Sequence, residues 1–265
     1  MRRCVTLLTD FGQADTYVGV LKGVLLSLNP DLQIVDLTHT IPPQAIALAG
    51  FHLAQAWPYF PADTIHIAVV DPGVGSARRA IAAQWINGCF IGPDNGLLTH
   101  VLQGGWPQQV VELTNPAYGH PAGRSATFHG RDVFAPAAAH LSLGVPLTDL
   151  GRPVDVSTLC QLPLAGYESI GNGWRGTVQQ VDHFGNLVTT LPSSLLVQCH
   201  PASSWSLWAA GRRIPLGLTY SSVPPQALVA VVGSHGYWEI AVNQGHAQAM
   251  LQLGIGDPVE LRPAP

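Results

Sequence analysis

The first 145 or so residues alternate short apolar runs with segments of helical periodicity, and this alternation restricts the fold more than any other feature. The run from Cys4 to Leu8 is apolar and partly β-branched, as expected of a buried strand. It is followed by apolar residues three or four positions apart, at Val18, Leu21, Leu25 and Leu28. Strands that alternate with helices in this way form parallel sheets. We therefore predict an α/β domain with a mostly parallel sheet.

The same criteria predict the remaining elements of this region. Strands are expected at Gln33 to Leu37, Thr64 to Val70 and Val110 to Leu113, and helices at Pro43 to Trp57, Leu97 to Leu102 and Asp132 to Leu143. Asn87-Gly88 between two apolar runs is a hairpin signal. One antiparallel element is therefore expected within or beside the sheet.

The pattern changes after Gly151-Arg152-Pro153. Short strands separated by glycine are predicted at Gly176 to Val181, Leu187 to Leu191, Leu228 to Val232 and Tyr237 to Val242, without a long helix. This pattern is typical of a small β-barrel. We place the boundary within 152–173, with an α/β domain at 1–155 and a linker plus β-barrel domain at 156–265.

The composition of the chain indicates which kinds of molecule it is expected to bind. Of 265 residues, 47% are apolar and 11% are charged, against roughly 25% charged in a typical soluble domain. The net charge is −4 and Lys22 is the only lysine, so no basic stripe is available and nucleic acid is not an expected partner. Interface cores are depleted in charge, so the low charge also points to an oligomer.

The cysteines Cys4, Cys89, Cys160 and Cys199 form no C-x-x-C pair or zinc spacing, which predicts free thiols in a reducing cytoplasm. The apolar run after Arg2 and Arg3 is too short for a signal peptide. No apolar stretch reaches the roughly 18 residues of a membrane-spanning helix. The sequence therefore predicts a soluble cytoplasmic protein without a membrane partner.

Polar residues follow three of the predicted strands, where ligand sites of open α/β sheets form. Asp10 follows the first strand, the loop 38–43 follows the second, and Asp71 follows the third. A strand-end carboxylate can also cap a helix or close an Asx turn, and both interpretations stay open for Asp10.

Two further segments combine polar groups near predicted strand or helix ends. In Asp71-Pro72-Gly73-Val74-Gly75-Ser76-Ala77-Arg78, the two glycines allow the chain to return an arginine towards the carboxylate, and the spacing matches no phosphate-binding motif. His129 in Phe128-His129-Gly130-Arg131-Asp132 precedes an alanine-rich helix, as a functional or a packing residue.

The second domain carries two polar turns. Asp182-His183-Phe184-Gly185-Asn186 offers a carboxylate, an aromatic ring and an amide, which suit a purine or ribose but also occur in ordinary β-turns. Ser234-His235-Gly236-Tyr237 with Glu239 forms a comparable polar strand end.

These motifs in this order resemble the S-adenosylmethionine hydrolases, or S-adenosylmethionine hydroxide adenosyltransferases, whose relatives include adenosyl fluorinases and chlorinases. The resemblance covers nearly the whole chain. It rests on Leu8 to Gly12 with Tyr17-Val18-Gly19 and Lys22-Gly23, Val70 to Gly75, Gly92 to Leu98, Phe128 to Asp132, and Asp182 to Asn186.

The resemblance implies a three-layer α/β domain joined to a small β-barrel, in a homotrimer with active sites between subunits. It implies that water attacks C5′ of the ribose and expels methionine, leaving adenosine. The family roles assign water activation to Asp71, Arg78 and His129, and the ribose hydroxyls to Asp10. They assign nucleoside or methionine contacts to Phe184, Asn186, Ser234, Glu239 and Val242.

The implied chemistry agrees with these residue types. The sulfonium group of the substrate leaves as the neutral thioether of methionine, so no general acid is required. Neither a metal nor another cofactor is expected. The halogenating relatives have tyrosine in place of Asp71 and lack the arginine at Arg78, which disfavours halide here. Gln44 and His235 depart from the fluorinase pattern, where tryptophan and arginine stand, so the ribose wall and the recognition of the methionine carboxylate are expected to differ.

Three alternative functions stay open. The first is an adenosyl chloride synthase. The second is a nucleoside-binding protein that retains the pocket without turnover. The third is metal-dependent hydrolysis by His129, Asp132, His140, Asp71 and Asp94, although no H-x-x-x-H or H-E-x-x-H spacing occurs.

Overall fold

A computed structural model describes residues 3–198 and 204–264. The chain divides into two compact units, Met1–Pro163 and Leu164–Pro265. This division lies within 152–173, the stretch in which the sequence places the domain boundary. It comes eight residues after position 155, where the first domain was predicted to end. Each unit has its own hydrophobic core.

The first unit contains a seven-stranded sheet and four helices. The strands are β1 (Cys4–Thr9), β2 (Gln33–Thr38), β3 (Ile65–Val69), β4 (Ala80–Trp85), β5 (Gly88–Pro93), β6 (Gln109–Leu113) and β7 (Gly151–Pro153). The helices are α1 (Tyr17–Leu28), α2 (Ile46–Ala56), α3 (Thr99–Leu102) and α4 (Ala135–Ser142). The strand order is β2-β1-β3-β5-β4-β6-β7.

The sheet of the first unit is mixed. Strands β2, β1, β3 and β5 are parallel to one another, whereas β4, β6 and β7 join through antiparallel pairs. The reversal begins at the predicted hairpin, which is confirmed. Its two-residue turn is Ile86-Asn87, one residue earlier than the sequence signal, because Gly88 already pairs with Trp85 as the first residue of β5.

The helices of the first unit cover both faces of the sheet. Alternate side chains of a strand point to opposite faces. Leu7 and Ile67 therefore belong to the core beneath α1 and α4, which pack together, whereas Leu8 and Ala68 belong to the core beneath α2 and α3. The three-layer α/β arrangement is confirmed.

The second unit is an antiparallel β structure, and its described residues form one short α-helix, α5 (Ala247–Leu251). Its strands are β8 (Glu168–Ile170), β9 (Gly173–Val181), β10 (Leu187–Pro192), β11 (Trp205–Ala209), β12 (Arg212–Pro215), β13 (Leu228–Val232), β14 (Tyr237–Val242) and β15 (Pro258–Pro263). The order is β12-β11-β15-β9-β10-β14-β13, with β8 beside β9.

The second unit is nearly closed. Leu216, just after β12, forms a bridge with Ala230 of β13, and the amide of Gly217 donates to the Ala230 carbonyl at 2.9 Å. The two ends of the strand order therefore meet around a core that includes Trp238 and Ile240. The small β-barrel is confirmed.

Two smaller predictions concern the whole chain. None of the helices among the described residues is both long and apolar enough to cross a membrane. Cys4, Cys89 and Cys160 are free thiols, and Cys199 lies outside the described residues.

Candidate functional site

An open cleft of about 390 Å³ lies past the carboxyl ends of β1 and β3. Asp10 directly follows β1, and Asp71 comes two residues after β3, so both carboxylates reach the same edge of the sheet. The cleft is lined by Asp10, Phe11, Tyr17, Pro43, Gln44, Val69, Asp71, Pro72, Val74, Thr127, Phe128, His129 and Gly130.

The loop after β3 returns Arg78 to Asp71. Turns at Asp71 to Val74 and at Gly73 to Ser76 reverse the chain, and the amide of Arg78 donates to the Ser76 hydroxyl at 3.2 Å. Arg78 Nε donates to Asp71 Oδ1 at 3.0 Å, and Arg78 Nη2 donates to Asp71 Oδ2. Both side chains are at least nine-tenths buried, so this bidentate ion pair holds the carboxylate in one orientation.

Arg78 also contacts His129, which begins the helical segment before α4. Arg78 Nη2 lies 2.7 Å from His129 Nδ1, so one guanidinium links the carboxylate and the imidazole. Asp71 and His129 line the cleft, whereas Arg78 is not among its lining residues. Arg78 Nη1 is buried and has no hydrogen-bond partner among the described residues. A buried donor of this kind costs about 1–3 kcal/mol when unpaired, so a ligand or water oxygen is expected to accept from it.

The imidazole of His129 is neutral at neutral pH. Burial and the guanidiniums of Arg124 and Arg78 lower its pKa to about 4, outweighing the carboxylates of Asp71 and Asp132. A neutral ring has one N–H donor and one acceptor. Since an arginine can only donate, the neutral ring accepts from one of the two guanidiniums, Arg78 at Nδ1 or Arg124 at Nε2.

Asp10 is fixed by a neighbouring loop. The amide of Gln44 donates to Asp10 Oδ2 at 2.9 Å, from a residue with φ of +67°. The amide of Gly12 donates to the carbonyl of His39 at 2.8 Å, which also joins the loops after β1 and β2. Asp10 therefore accepts from a distant loop rather than capping α1, and its carboxylate lines the cleft.

Three aromatic rings form one wall of the cleft. Phe128 is in edge contact with Phe11 and with Tyr17, which are tilted against each other, and the ring centroids are 5.2–6.0 Å apart. Their apolar surfaces offer contact area to a flat ring or a sugar. All three stand within the sequence motifs, but the sequence analysis gave them no role.

The second unit holds its expected site residues in the turn between β9 and β10, in the turn before β14, and on β14 itself. Asp182 Oδ1 accepts from the amides of Phe184 and Asn186 at 2.9 and 2.8 Å, and Asn186 Nδ2 donates to Asp182 Oδ2 at 2.9 Å. Gly185 has φ of +79°, which this tight turn requires. The turn leaves the Phe184 side chain 71% exposed.

Glu239 lies on β14, beside β10, which follows this turn. Its carboxylate is buried, with Oε1 accepting from the Tyr220 hydroxyl at 2.9 Å and Oε2 lying 3.0 Å from His235 Nε2. Burial and this carboxylate raise the pKa of Tyr220 to about 12. Ser234 lies exposed in the turn before β14.

Val242 differs from the other expected contacts. Its side chain is buried in the core of the second unit, and the residue pairs with Leu228 in the sheet. Any contact it makes with a ligand therefore falls to its backbone.

Arg124 is a further residue near the site to which the sequence analysis gave no role. Arg124 Nε lies 3.0 Å from His129 Nε2, and Arg124 Nη2 lies 3.2 Å from His129 Nδ1. Arg124 belongs to an irregular segment without hydrophobic periodicity, so no local pattern indicates its position. Among the described residues, no group of three His, Cys, Asp or Glu side chains is arranged to hold a metal ion.

Two models of one protein family match most of the chain. The family model described as the SAM hydroxide adenosyltransferase N-terminal domain matches residues 5–151, and the model of the C-terminal domain of the same family matches residues 176–260. A crystal structure of a conserved protein from Thermotoga maritima superposes with a TM-score of 0.90 at 33% identity, covering 97% of this chain and 99% of that one.

Two groups of curated relatives are similar in sequence. An (R)-S-adenosyl-L-methionine hydrolase from Thermus thermophilus is 45% identical, covering 98% of this chain and 99% of that protein. A protein of the same name from Salinispora arenicola is 42% identical over 97% of both chains. A fluorinase from an Actinoplanes species is 27% identical over 71% of both.

Proposed function

Because the chain belongs to the SAM hydroxide adenosyltransferase family, we infer that it hydrolyses S-adenosyl-L-methionine to adenosine and L-methionine. The observation that carries this function is the linked group of Asp71, Arg78 and His129 at the wall of a cleft that also holds three aromatic rings. A carboxylate and a neutral imidazole suit the activation of water, and the rings suit a nucleoside.

In the proposed reaction, a water oxygen forms a bond to C5′ of the ribose while the bond from C5′ to sulfur breaks. The electron pair of the broken bond stays on sulfur, and methionine leaves as a neutral thioether. The water loses one proton, which Asp71 accepts from its position on the cleft wall. Arg78 pairs with both oxygens of this carboxylate and so fixes its direction towards the water.

Electrostatics favours water over halide as the nucleophile. The sulfonium substrate is a cation, and the cleft presents the carboxylates of Asp10 and Asp71. Two unit charges about 4 Å apart interact by roughly 4 kcal/mol at the effective dielectric of a protein surface. A halide beside Asp71 would meet a repulsion smaller than this, because Arg78 offsets part of the charge of the carboxylate, whereas neutral water would meet none.

The proposal extends to the sulfur configuration of the substrate. The hydrolase relatives are named for (R)-S-adenosyl-L-methionine, the epimer with R configuration at sulfur. We propose that this chain also acts on the R epimer. Separated sulfur epimers offered at equal concentration test this directly, and the larger kcat/KM is expected for the R epimer.

We propose that the active protein is a homotrimer in which each site combines the first unit of one subunit with the second unit of its neighbour. Asp10 would then bind the ribose, and Phe184, Asn186, Ser234 and Glu239 of the adjacent subunit would contact the nucleoside or methionine. The exposed ring of Phe184 and the low charged fraction of 11% support a surface that another chain covers.

The same proposal specifies a cytoplasmic enzyme without a cofactor. The three free thiols of the described residues support a reducing compartment. The departure of a neutral thioether supports a reaction that needs no metal, since the leaving group requires no Lewis acid.

Product analysis in ¹⁸O-labelled water tests the function. S-adenosylmethionine is incubated with the protein in chloride buffer, with and without a chelator. The nucleosides are then separated by chromatography, and their masses are measured by mass spectrometry. We expect adenosine carrying ¹⁸O at the 5′ hydroxyl, with an unchanged rate under chelation. 5′-Chloroadenosine as the main product would support the chloride synthase, and binding without any product would support a nucleoside-binding protein.

A further inference from the structure

The imidazole of His129 lies between two guanidiniums that come from different segments. Arg78 approaches Nδ1 from the loop after β3, with Nη2 at 2.7 Å. Arg124 approaches Nε2 from the segment 120–127, which we term the strap, with Nε at 3.0 Å. His129 itself is buried. The ring therefore has a cation at each of its two nitrogens.

The strap is tied to the structures that carry His129 and Asp71. The amide of Ser125 donates to Asp132 Oδ2 at 2.8 Å, and the amide of His120 donates to the Asp132 carbonyl at 3.0 Å. On the other side, a Cβ at Gly75 would lie 2.4 Å from the carbonyl oxygen of Ala126, so the loop after β3 and the strap are in close backbone contact. Arg124 is thus held beside the ring by its backbone surroundings.

The charges around the ring disfavour its protonation. The groups that face it are Arg78 and Asp71 of the loop after β3, Arg124 of the strap, and Asp132 of the turn before α4. The two carboxylates already have guanidinium partners, Arg78 for Asp71 and Arg131 for Asp132. A protonated imidazole would add a further positive charge to this group, and the pKa of Arg124 is itself lowered by burial and by Arg78.

Neutrality of the ring matters because the proposed substrate is a sulfonium cation. A protonated His129 on the cleft wall would repel that cation, and it would have no lone pair for either guanidinium. A neutral ring avoids both effects. The two guanidiniums therefore keep the ring that lines the cleft uncharged, while their own charges lie outside the lining of the cleft.

We propose that Arg124 is a further positioning residue of the hydrolytic site, whose guanidinium disfavours protonation of His129 and holds the ring in place beside Asp71. The inference deepens the proposed function and rests on it for its catalytic meaning. Arg124 acts through His129, because it is not among the residues that line the cleft.

The test compares Arg124→Gln with Arg124→Lys and with the wild type. Two quantities are measured: the titration midpoint of the His129 ring by NMR of histidine-labelled protein, and kcat/KM as a function of pH. The His129 resonances are identified by their loss in His129→Gln. Arg152→Gln serves as the matched control, since it removes an exposed arginine of the same unit that pairs with Glu112.

In Arg124→Gln we expect the His129 midpoint to rise from about 4 by about one pH unit or more, because one neighbouring cation is gone. A rise of one unit multiplies the ratio of protonated to neutral ring about tenfold at any fixed pH. The acid limb of kcat/KM should move up by the same amount. Arg124→Lys keeps the charge and should stay close to the wild type, as should Arg152→Gln.

An unmoved His129 midpoint in Arg124→Gln would overturn the inference, as would an equal shift in Arg124→Lys and Arg124→Gln. The failure of the proposed function looks different. In that case the wild type would release no adenosine from S-adenosylmethionine at any pH, whereas the NMR midpoint would still report whether Arg124 controls the charge of His129.

Discussion

Asp71 and Asp10 both reach the cleft from strand ends, but their surroundings assign them different tasks. Asp71 is paired through both oxygens with Arg78, whereas Asp10 accepts one backbone amide, that of Gln44. The first arrangement fixes a carboxylate beside the linked imidazole. The second ties a carboxylate to the loop after β2, where a sugar can reach it.

Replacing Asp71 should affect turnover more than binding. In Asp71→Asn the amide keeps the shape of the side chain but is a poor proton acceptor, so kcat should fall about 10²-fold or more, with a smaller change in KM. Steady-state kinetics measures both, and circular dichroism checks that the fold is retained. Asp31→Asn, on an exposed turn, is the charge-matched control. Wild-type kcat in Asp71→Asn would remove the carboxylate from the mechanism.

Replacing Asp10 should affect substrate binding more than turnover. Asp10→Ala removes the proposed ribose acceptor and leaves the Gln44 amide without its partner, so KM should rise about tenfold or more. A slower chemical step is also expected, because C5′ is held less accurately. An unchanged KM would show that this carboxylate only fastens the loop after β2, which is the purely structural interpretation.

For individual residues, the sequence predicts the positions of side chains at strand ends. It does not predict the positions of side chains that are fixed by contacts with distant segments. Asp10 and Asp71 follow buried strands, so their meeting at one sheet edge can be predicted, and two glycines allow Arg78 to return to Asp71. The strap that carries Arg124 is fixed by the contact of Ser125 with Asp132 and of Ala126 with Gly75, neither of which leaves a local pattern. The burial of the Val242 side chain likewise follows from the assembled barrel core.

The elements of the first unit agree with the periodicity of the sequence, with differences at their ends. The helix predicted from Asp132 starts instead as a π-helical turn, Gly130–Phe134, in which the Ala135 amide donates to the Gly130 carbonyl. Pro136 follows at the start of α4 and has no amide to donate. Hydrophobic spacing does not distinguish this wider turn from an α-helix, although the turn sets where His129 stands.

The contact between the loop after β3 and the strap gives a prediction for Gly75. Gly75→Ala combines a strained φ of +79° with a Cβ only 2.4 Å from the Ala126 carbonyl oxygen. The two segments must move apart, so kcat should fall about tenfold as Asp71 and His129 lose their alignment. Steady-state kinetics measures this, and thermal unfolding measures the accompanying loss of stability.

Gly144→Ala separates strain from contact. Gly144 has φ of +96° but nothing lies within 4 Å of its Cβ position. We expect a loss of stability of about 1 kcal/mol from backbone strain alone, with kcat retained. Equal kcat values in the two variants would show that the contact at Ala126 does not align the site.

At the scale of the whole molecule, the two units carry two separate sets of site residues. Asp71, Arg78, His129 and Asp10 belong to the first unit, and Phe184, Asn186, Ser234 and Glu239 belong to the second. The change from alternating strands and helices to short strands separated by glycine predicts the two fold types. How subunits would combine the two sets depends on surface complementarity, which hydrophobic periodicity does not encode.

Mixing two inactive variants tests the proposed trimer. Asp71→Asn and Asn186→Ala are dissociated, combined in equal amounts and reassembled. If each site takes one unit from each of two subunits, random head-to-tail rings regain about one quarter of the wild-type sites, because each site needs two particular neighbours in order. Released adenosine measures the recovery.

The control mixture combines Asp71→Asn with His129→Gln. Both substitutions lie in the first unit, so no arrangement of these subunits contains an intact site. Recovery in this control, or none in the first mixture despite mixed rings seen by native mass spectrometry, would contradict sites shared between subunits.

The hairpin of β4 and β5 also has a consequence for the order in which the sheet can assemble. These strands are joined by two residues, whereas the parallel pair β1 and β3 is separated by more than fifty. Closing a short loop costs less chain entropy and is faster than forming a parallel pair through a crossover. The hairpin of β4 and β5, which has the lower loop-closure entropy cost of the two pairs, lies at the middle of the sheet, where β5 pairs with β3. The remaining strands can therefore add on both sides of it.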